Sequence, residues 1–174
     1  MKFIDVGLEG LVVIEPEYHF DERGFFSRIV CEDEFKQHNL ENKWLQQNIS
    51  FNKKKGTLRG LHLQTGEASE IKIVRCTRGS VFDVAVDMRS SSSTYLKWFG
   101  LELSEKNHKQ LYIPKGFAHG FITLKDDCEL TYLMSQNYMP GFSFGYRYDD
   151  PKIGITWPVK VSCISQKDLE WELI

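Results

Sequence analysis

The 174 residues, 41% hydrophobic and 26% charged, suffice for one well-filled core and are few for two ordinary domains. No stretch nears the ~18 consecutive apolar residues of a membrane-spanning helix. The 22 basic residues against 24 acidic ones give a formal charge of -2, which excludes a whole-protein field that gathers nucleic acid or anionic lipid. One domain over 1–174 is expected, with any anion site kept local.

Along the chain, an acid and a glycine follow Met1 before a secretory apolar stretch could build, so a cytoplasmic location is expected. Leu11–Ile14 and Phe25–Val30 read as strands, and Glu32–Asn39, acidic at its start, as a helix. Trp44–Ser50, Thr57–Gln64 and Ile71–Cys76 read as further strands, with Lys53-Lys54-Lys55 as a solvated turn between the first two. In Ser80–Met88 strict alternation puts Phe82, Val84, Val86 and Met88 on one face and Asp83, Ala85 and Asp87 on the other, the pattern of a sheet with one buried face. Trp98–Leu103, Gln110–Ile113, Gly120–Leu124 and Glu129–Ser135 complete the strands, and a short helical tail begins at Ser165. So many strands in one domain predict an all-β sandwich or barrel with short peripheral helices. The βαβ alternation of a dinucleotide-binding fold is missing. Cys31, Cys76, Cys128 and Cys163 form no C-x-x-C pair and read as reduced thiols. The aromatic share of 13% favours strands and stacking surfaces.

Three places hold polar residues that a barrel wall does not need. In Gly56–Gln64 alternation projects His62 and Gln64 together. Pro114-Lys115-Gly116 delivers His119 to an apolar strand, and Tyr132 shares a face with Leu130 and Met134. Either histidine alone reads as a core or rim residue; the two together mark a pocket. Tyr132 alone reads as a core tyrosine with its hydroxyl at the rim, and Lys72 as a lysine reaching solvent. Ser165-x-x-Asp168 reads as a helix cap.

The pair of motifs resembles the cupin superfamily: Pro114-x-Gly116-x-x-His119 is intact, while the first motif reads His62-x-Gln64. Two imidazoles and a neutral amide are a poor donor set for Zn²⁺, Fe²⁺ or Mn²⁺, so neither metal nor other cofactor is expected. A fuller match runs through Asp21-x-Arg23-Gly24-Phe25-Phe26, Gln46-x-Asn48-x-Ser50, Leu58-Arg59-Gly60-Leu61-His62-x-Gln64, Lys72-x-Val74-Arg75-Cys76, Ile113–Phe121, Tyr138-x-Pro140, Asp150-Pro151 with Gly154-Ile155-x-Trp157-Pro158, and Ser165-x-Lys167-Asp168. In order and spacing these blocks resemble the dTDP-4-dehydrorhamnose 3,5-epimerase family, metal-independent cupins of dTDP-rhamnose biosynthesis.

The resemblance implies a cupin-type double-stranded β-helix, or jelly-roll barrel. It implies an isomerase that inverts C3 and C5 of a nucleotide-linked 4-keto-6-deoxyhexose through an enolate. His62 would be the base, oriented by Asp168; Lys72 would face the ketone oxygen, Tyr132 would donate a proton from the opposite face, and His119 would line the sugar pocket. Arg23, Gln46, Asn48 and Arg59, with Lys167 nearby, would meet the diphosphate, and Tyr138 and Phe26 would sandwich the base. Arg23 and Phe26 would come from the neighbouring subunit of a homodimer with exchanged N-terminal strands. Strict alternation sets Arg59 on the face opposite His62, and a bulge at Gly60 would bring both into the pocket. Arg28 and Ser143 stand where family members commonly carry glutamate. A mono-epimerase acting on a related dTDP-, UDP-, GDP- or CDP-linked sugar and a non-catalytic sugar-binding cupin are the alternatives.

Overall fold

The computed structural model describes residues 1–174. Two sheets face each other. The first runs in the order β1 (Lys2–Asp5), β2 (Val12–Glu15), β10 (Gln110–Ile113), β7 (Lys72–Arg78), β12 (Cys128–Met134), β5 (Gln46–Asn52). The second runs β13 (Ser143–Gly145), β6 (Leu58–Gln64), β11 (Phe117–Thr123), β8 (Ser80–Asp87), β9 (Trp98–Ser104). From β6 onward the chain passes from one sheet to the other at almost every turn, and each pairing is antiparallel. This is the jelly-roll arrangement, and the cupin-type fold is the one observed. A separate hairpin, β3 (His19–Asp21) with β4 (Gly24–Phe26), and two short helices, α1 (Glu32–Gln37) and α2 (Gln166–Leu169), lie at the periphery.

The main core fills the space between the sheets, with Val74, Leu111, Phe117, Phe121 and Leu130 among its fully enclosed members. Truncating such a side chain costs about 2–5 kcal/mol. A second cluster around Leu61, Val84, Val86 and Ala118 lies on the outer side of the five-stranded sheet under the C-terminal segment. The alternation in β8 therefore does not separate a buried face from a solvated one. Asp83, Ala85 and Asp87 are as buried as Val84 and Val86, because β8 lies inside its sheet with covering layers on both sides. Asp83 is accommodated by His119; Asp87 by Arg89, Ser92 and Thr94. Burial works to raise the Asp87 carboxyl, but those partners outweigh it and hold the group well below the carboxylate range.

Most expected strands form within a residue or two of their limits. Phe25–Val30 differs: only Gly24–Phe26 is extended, paired with His19–Asp21, and the chain then runs irregularly to α1. The four cysteines are free.

Candidate active site

A cavity of about 630 Å³ opens between the sheets. The five-stranded sheet contributes His62 and Arg59 from β6 and His119 from β11; the six-stranded sheet contributes Lys72 from β7, Tyr132 from β12, and Asn48 and Ser50 from β5. Lys167 and Asp168 of α2 close one side. A smaller cavity of about 160 Å³ shares Asn48 and His62 with it and adds Gln46 and Tyr138.

Arg59 and His62 enter one cavity because β6 is bulged. His119 pairs with His62, but Phe121 pairs with Arg59, so one strand spends an extra residue across the same interval. Gly60 permits this. Its φ is +128°, and a Cβ there would stand 2.5 Å from the Cα of Gly120 on the neighbouring strand. The bulge expected at Gly60 is thus present.

The His62 ring donates from Nε2 to Oδ1 of Asp168 over 2.6 Å, leaving the Nδ1 lone pair as the free base position. Asp168 is buried, and its other oxygen accepts the N–H of Gly60 at 3.3 Å. Burial works to raise its carboxyl, but the His62 hydrogen bond and charge, the Gly60 N–H and Ser165 together hold it below the usual range. The cap reading of Ser165 is also correct: its hydroxyl accepts the Asp168 N–H at 3.1 Å. One residue carries both roles because a capping contact uses the backbone of Asp168 and leaves its carboxylate free.

Lys72 does not reach solvent. It is buried, and Nζ donates to Glu70 Oε1 at 2.8 Å, whose second oxygen accepts the Gln64 N–H. The Tyr132 hydroxyl sits 3.3 Å from Ser50 Oγ, and burial pushes its phenol well above the ordinary value. His119 is paired through Nε2 with both oxygens of Asp83, at 3.1 and 3.0 Å. Arg59 donates from Nε to Asn52 Oδ1 at 2.7 Å, and Lys167 Nζ lies 5.6 Å from the centre of the Trp171 ring. Gln64, where the metal-binding cupin pattern has histidine, spends its amide on backbone groups of Ala68, Asn137 and Met139.

Ten of the twelve residues singled out from the sequence therefore line the two joined cavities. Arg23 and Phe26 do not; they project from the β3–β4 hairpin, with Phe26 73% exposed and Arg23 paired only with Asp21. Arg28 pairs with Glu34, away from either cavity, whereas Ser143 lines both. Glu70, Asp83 and Asn52 received no role in the site from the sequence. The signal available for Glu70 was its spacing: two positions before Lys72, past a residue that turns the chain into β7.

A jelly-roll holding an oriented imidazole opposite a lysine and a tyrosine defines a cupin built for proton transfer. The sequence profile described as dTDP-4-dehydrorhamnose 3,5-epimerase matches residues 5–174. The chain is 44% identical over 174 residues to the dTDP-4-dehydrorhamnose 3,5-epimerase of Methanothermobacter thermautotrophicus, covering 98% of this chain and 93% of that one. Its fold superposes with a TM-score of 0.96 on the crystal structure of dTDP-4-dehydrorhamnose 3,5-epimerase from Elizabethkingia anophelis NUHP1, at 36% identity over 99% of this chain and 96% of that chain. It also superposes, with a TM-score of 0.92, on the Legionella pneumophila dTDP-6-deoxy-D-glucose-3,5-epimerase solved with dTDP-4-keto-L-rhamnose, at 37% identity over 99% and 92% of the two chains. The chain belongs to the dTDP-4-dehydrorhamnose 3,5-epimerase family.

Proposed function

We propose that the protein inverts C3 and C5 of dTDP-4-dehydro-6-deoxy-D-glucose, giving dTDP-4-dehydro-L-rhamnose. The observation that carries this is the opposition of walls: the His62–Asp168 pair comes from one sheet and its helix, Lys72 and Tyr132 from the other, across one cavity. Both carbons flank the C4 ketone, so removing either proton gives an enolate that needs a counter-charge. Nδ1 of His62 takes the proton, and Asp168 stabilises the resulting imidazolium. The Lys72 ammonium faces the enolate oxygen. Tyr132 returns a proton from the other side, which completes the inversion. His119, held by Asp83, lines the sugar position.

Arg59, Gln46, Asn48 and Lys167 would hold the diphosphate, for which the arginine fork suits paired oxygens. Tyr138 would cover one face of the nucleotide base. Arg23 and Phe26 would serve a neighbouring chain, in a homodimer that exchanges N-terminal strands. Several features favour this pairing. Phe20 and Phe26 are 75% and 73% exposed on an isolated hairpin, and β5 is a sheet edge that presents Ile49, 65% exposed, and Phe51. On the same outer face the Trp44 Nε1 and Arg75 Nε are buried without a partner beside a groove of about 380 Å³. A soluble cytoplasmic enzyme fits this reading; no helix is long and apolar enough to cross a membrane.

Incubation with dTDP-4-keto-6-deoxyglucose in D₂O containing a chelator, followed by proton NMR, should show exchange at C3 and C5 alike. Exchange at one carbon only would make the protein a mono-epimerase. No exchange with any nucleotide sugar would leave a binding protein.

A further inference from the structure

A continuous run of hydrogen bonds in the cavity wall joins Arg59 to Tyr132. Arg59 Nε donates to Asn52 Oδ1 at 2.7 Å. The Asn52 amide donates from Nδ2 to Ser50 Oγ at 3.3 Å, and Ser50 Oγ lies 3.3 Å from the Tyr132 hydroxyl. The sheet sets this geometry. Asn52 and Ser50 are alternate residues of β5, so both point inward, and Ser50 pairs with Leu130 directly before the position of Tyr132 on that face of β12. Asn52 is 2% exposed, and its amide also reaches the Cys128 carbonyl at 3.4 Å.

The direction of the run is fixed at its arginine end. A guanidinium only donates, so Asn52 must present its oxygen to Arg59 and its NH₂ to Ser50. With its oxygen already accepting, the Ser50 O–H is free to turn toward Tyr132. We propose that Ser50, held by Asn52, is a positioning residue for the Tyr132 hydroxyl and donates to the phenolate oxygen left when that tyrosine gives up its proton. This rests on the assignment of Tyr132 as proton donor.

The step balances as follows. The Tyr132 O–H bond breaks, its proton joins the enolate carbon using the enolate π pair, and the C4 carbonyl reforms. The phenolate then accepts from Ser50 Oγ–H until it recovers a proton from water, while the His62 imidazolium releases one to water. A phenol whose ionisation burial opposes needs such a donor, and Ser50 and the Arg59 charge both act in that direction. Through Asn52 the same run places the proton donor within reach of the diphosphate-binding end.

The test compares Ser50→Ala, Ser50→Thr, Tyr132→Phe and the Ser50→Ala/Tyr132→Phe double variant in D₂O. Each is scored for solvent exchange at C3 and C5, for inverted product and for dTDP affinity. Ser50→Ala should lower inversion about 10- to 100-fold, the worth of one hydrogen bond to a charged oxygen, while exchange through His62 and dTDP affinity persist. Ser50→Thr, which keeps the hydroxyl, should restore most of the loss. The double variant should be no slower than Tyr132→Phe alone. Undiminished inversion in Ser50→Ala, no recovery in Ser50→Thr, or additive losses in the double variant would overturn the proposal while leaving Tyr132 as donor. Undiminished inversion in Tyr132→Phe would remove the donor assignment itself, and the proposal with it.

Discussion

The two faces of the six-stranded sheet differ in how far one chain completes them. On the inner face four titratable side chains of the cavity wall have partners: Lys72 has Glu70, Tyr132 has Ser50, and across the cavity His62 has Asp168 and His119 has Asp83. On the outer face Ile49 and Phe51 stand uncovered along the β5 edge, and the Arg75 Nε and Trp44 Nε1 lack acceptors. Chemistry needs groups fixed before substrate arrives, and the inner face supplies that from within one chain. Association needs surface left unspent, and the outer face and the hairpin have it. Arg23 and Phe26 belong to that hairpin and stand apart from the cavity that the other ten residues line.

The largest effect should come from the inner face. His62→Ala should lower exchange at both carbons by about 10²–10⁴, the range for loss of a positioned general base, with dTDP affinity retained by equilibrium titration. Loss of affinity with residual exchange would contradict the base assignment. A smaller loss, about 10- to 100-fold in kcat/KM for removing a phosphate-binding arginine, should follow Arg23→Ala. Mixing Arg23→Ala chains with His62→Ala chains should then recover activity, because one of the two sites in each mixed dimer holds both native residues. Mixed chains as inactive as the parents would show that each chain uses its own hairpin.

The smallest effect is on stability against pH. The folded carboxyl of Asp168 lies below its unfolded value, so its contribution is complete above the unfolded value of about 4 and is lost as pH falls through the folded one. Thermal midpoints measured from pH 6 down to pH 3 should therefore fall less steeply in Asp168→Asn than in the natural chain. Equal slopes would deny the carboxylate its stabilised charge.

The central strands were readable because alternation is a local signal. Polar and apolar residues trade places every second position wherever a sheet has one dry side. The reading failed where burial was two-sided or pairing was local. Ser80–Asp87 alternates, yet both faces are enclosed, as the buried partners of Asp83 and Asp87 show. Ser143–Gly145 is too short to show a period. For the site, the motif blocks brought together His62, Lys72, Tyr132 and Asp168, which lie far apart in sequence. Asn52 acts on Arg59 through a contact between two strands that only the folded structure creates, so no spacing rule pointed to it.

The bond from His62 to Asp168 spans 106 positions and anchors a helix of four residues. Closing so long a loop is entropically late, so the His62 ring is oriented only after the sandwich between those two positions has assembled. Catalytic turnover should therefore report on the completeness of folding. Partial fraying of this terminal turn would silence the enzyme while circular dichroism still recorded an intact barrel.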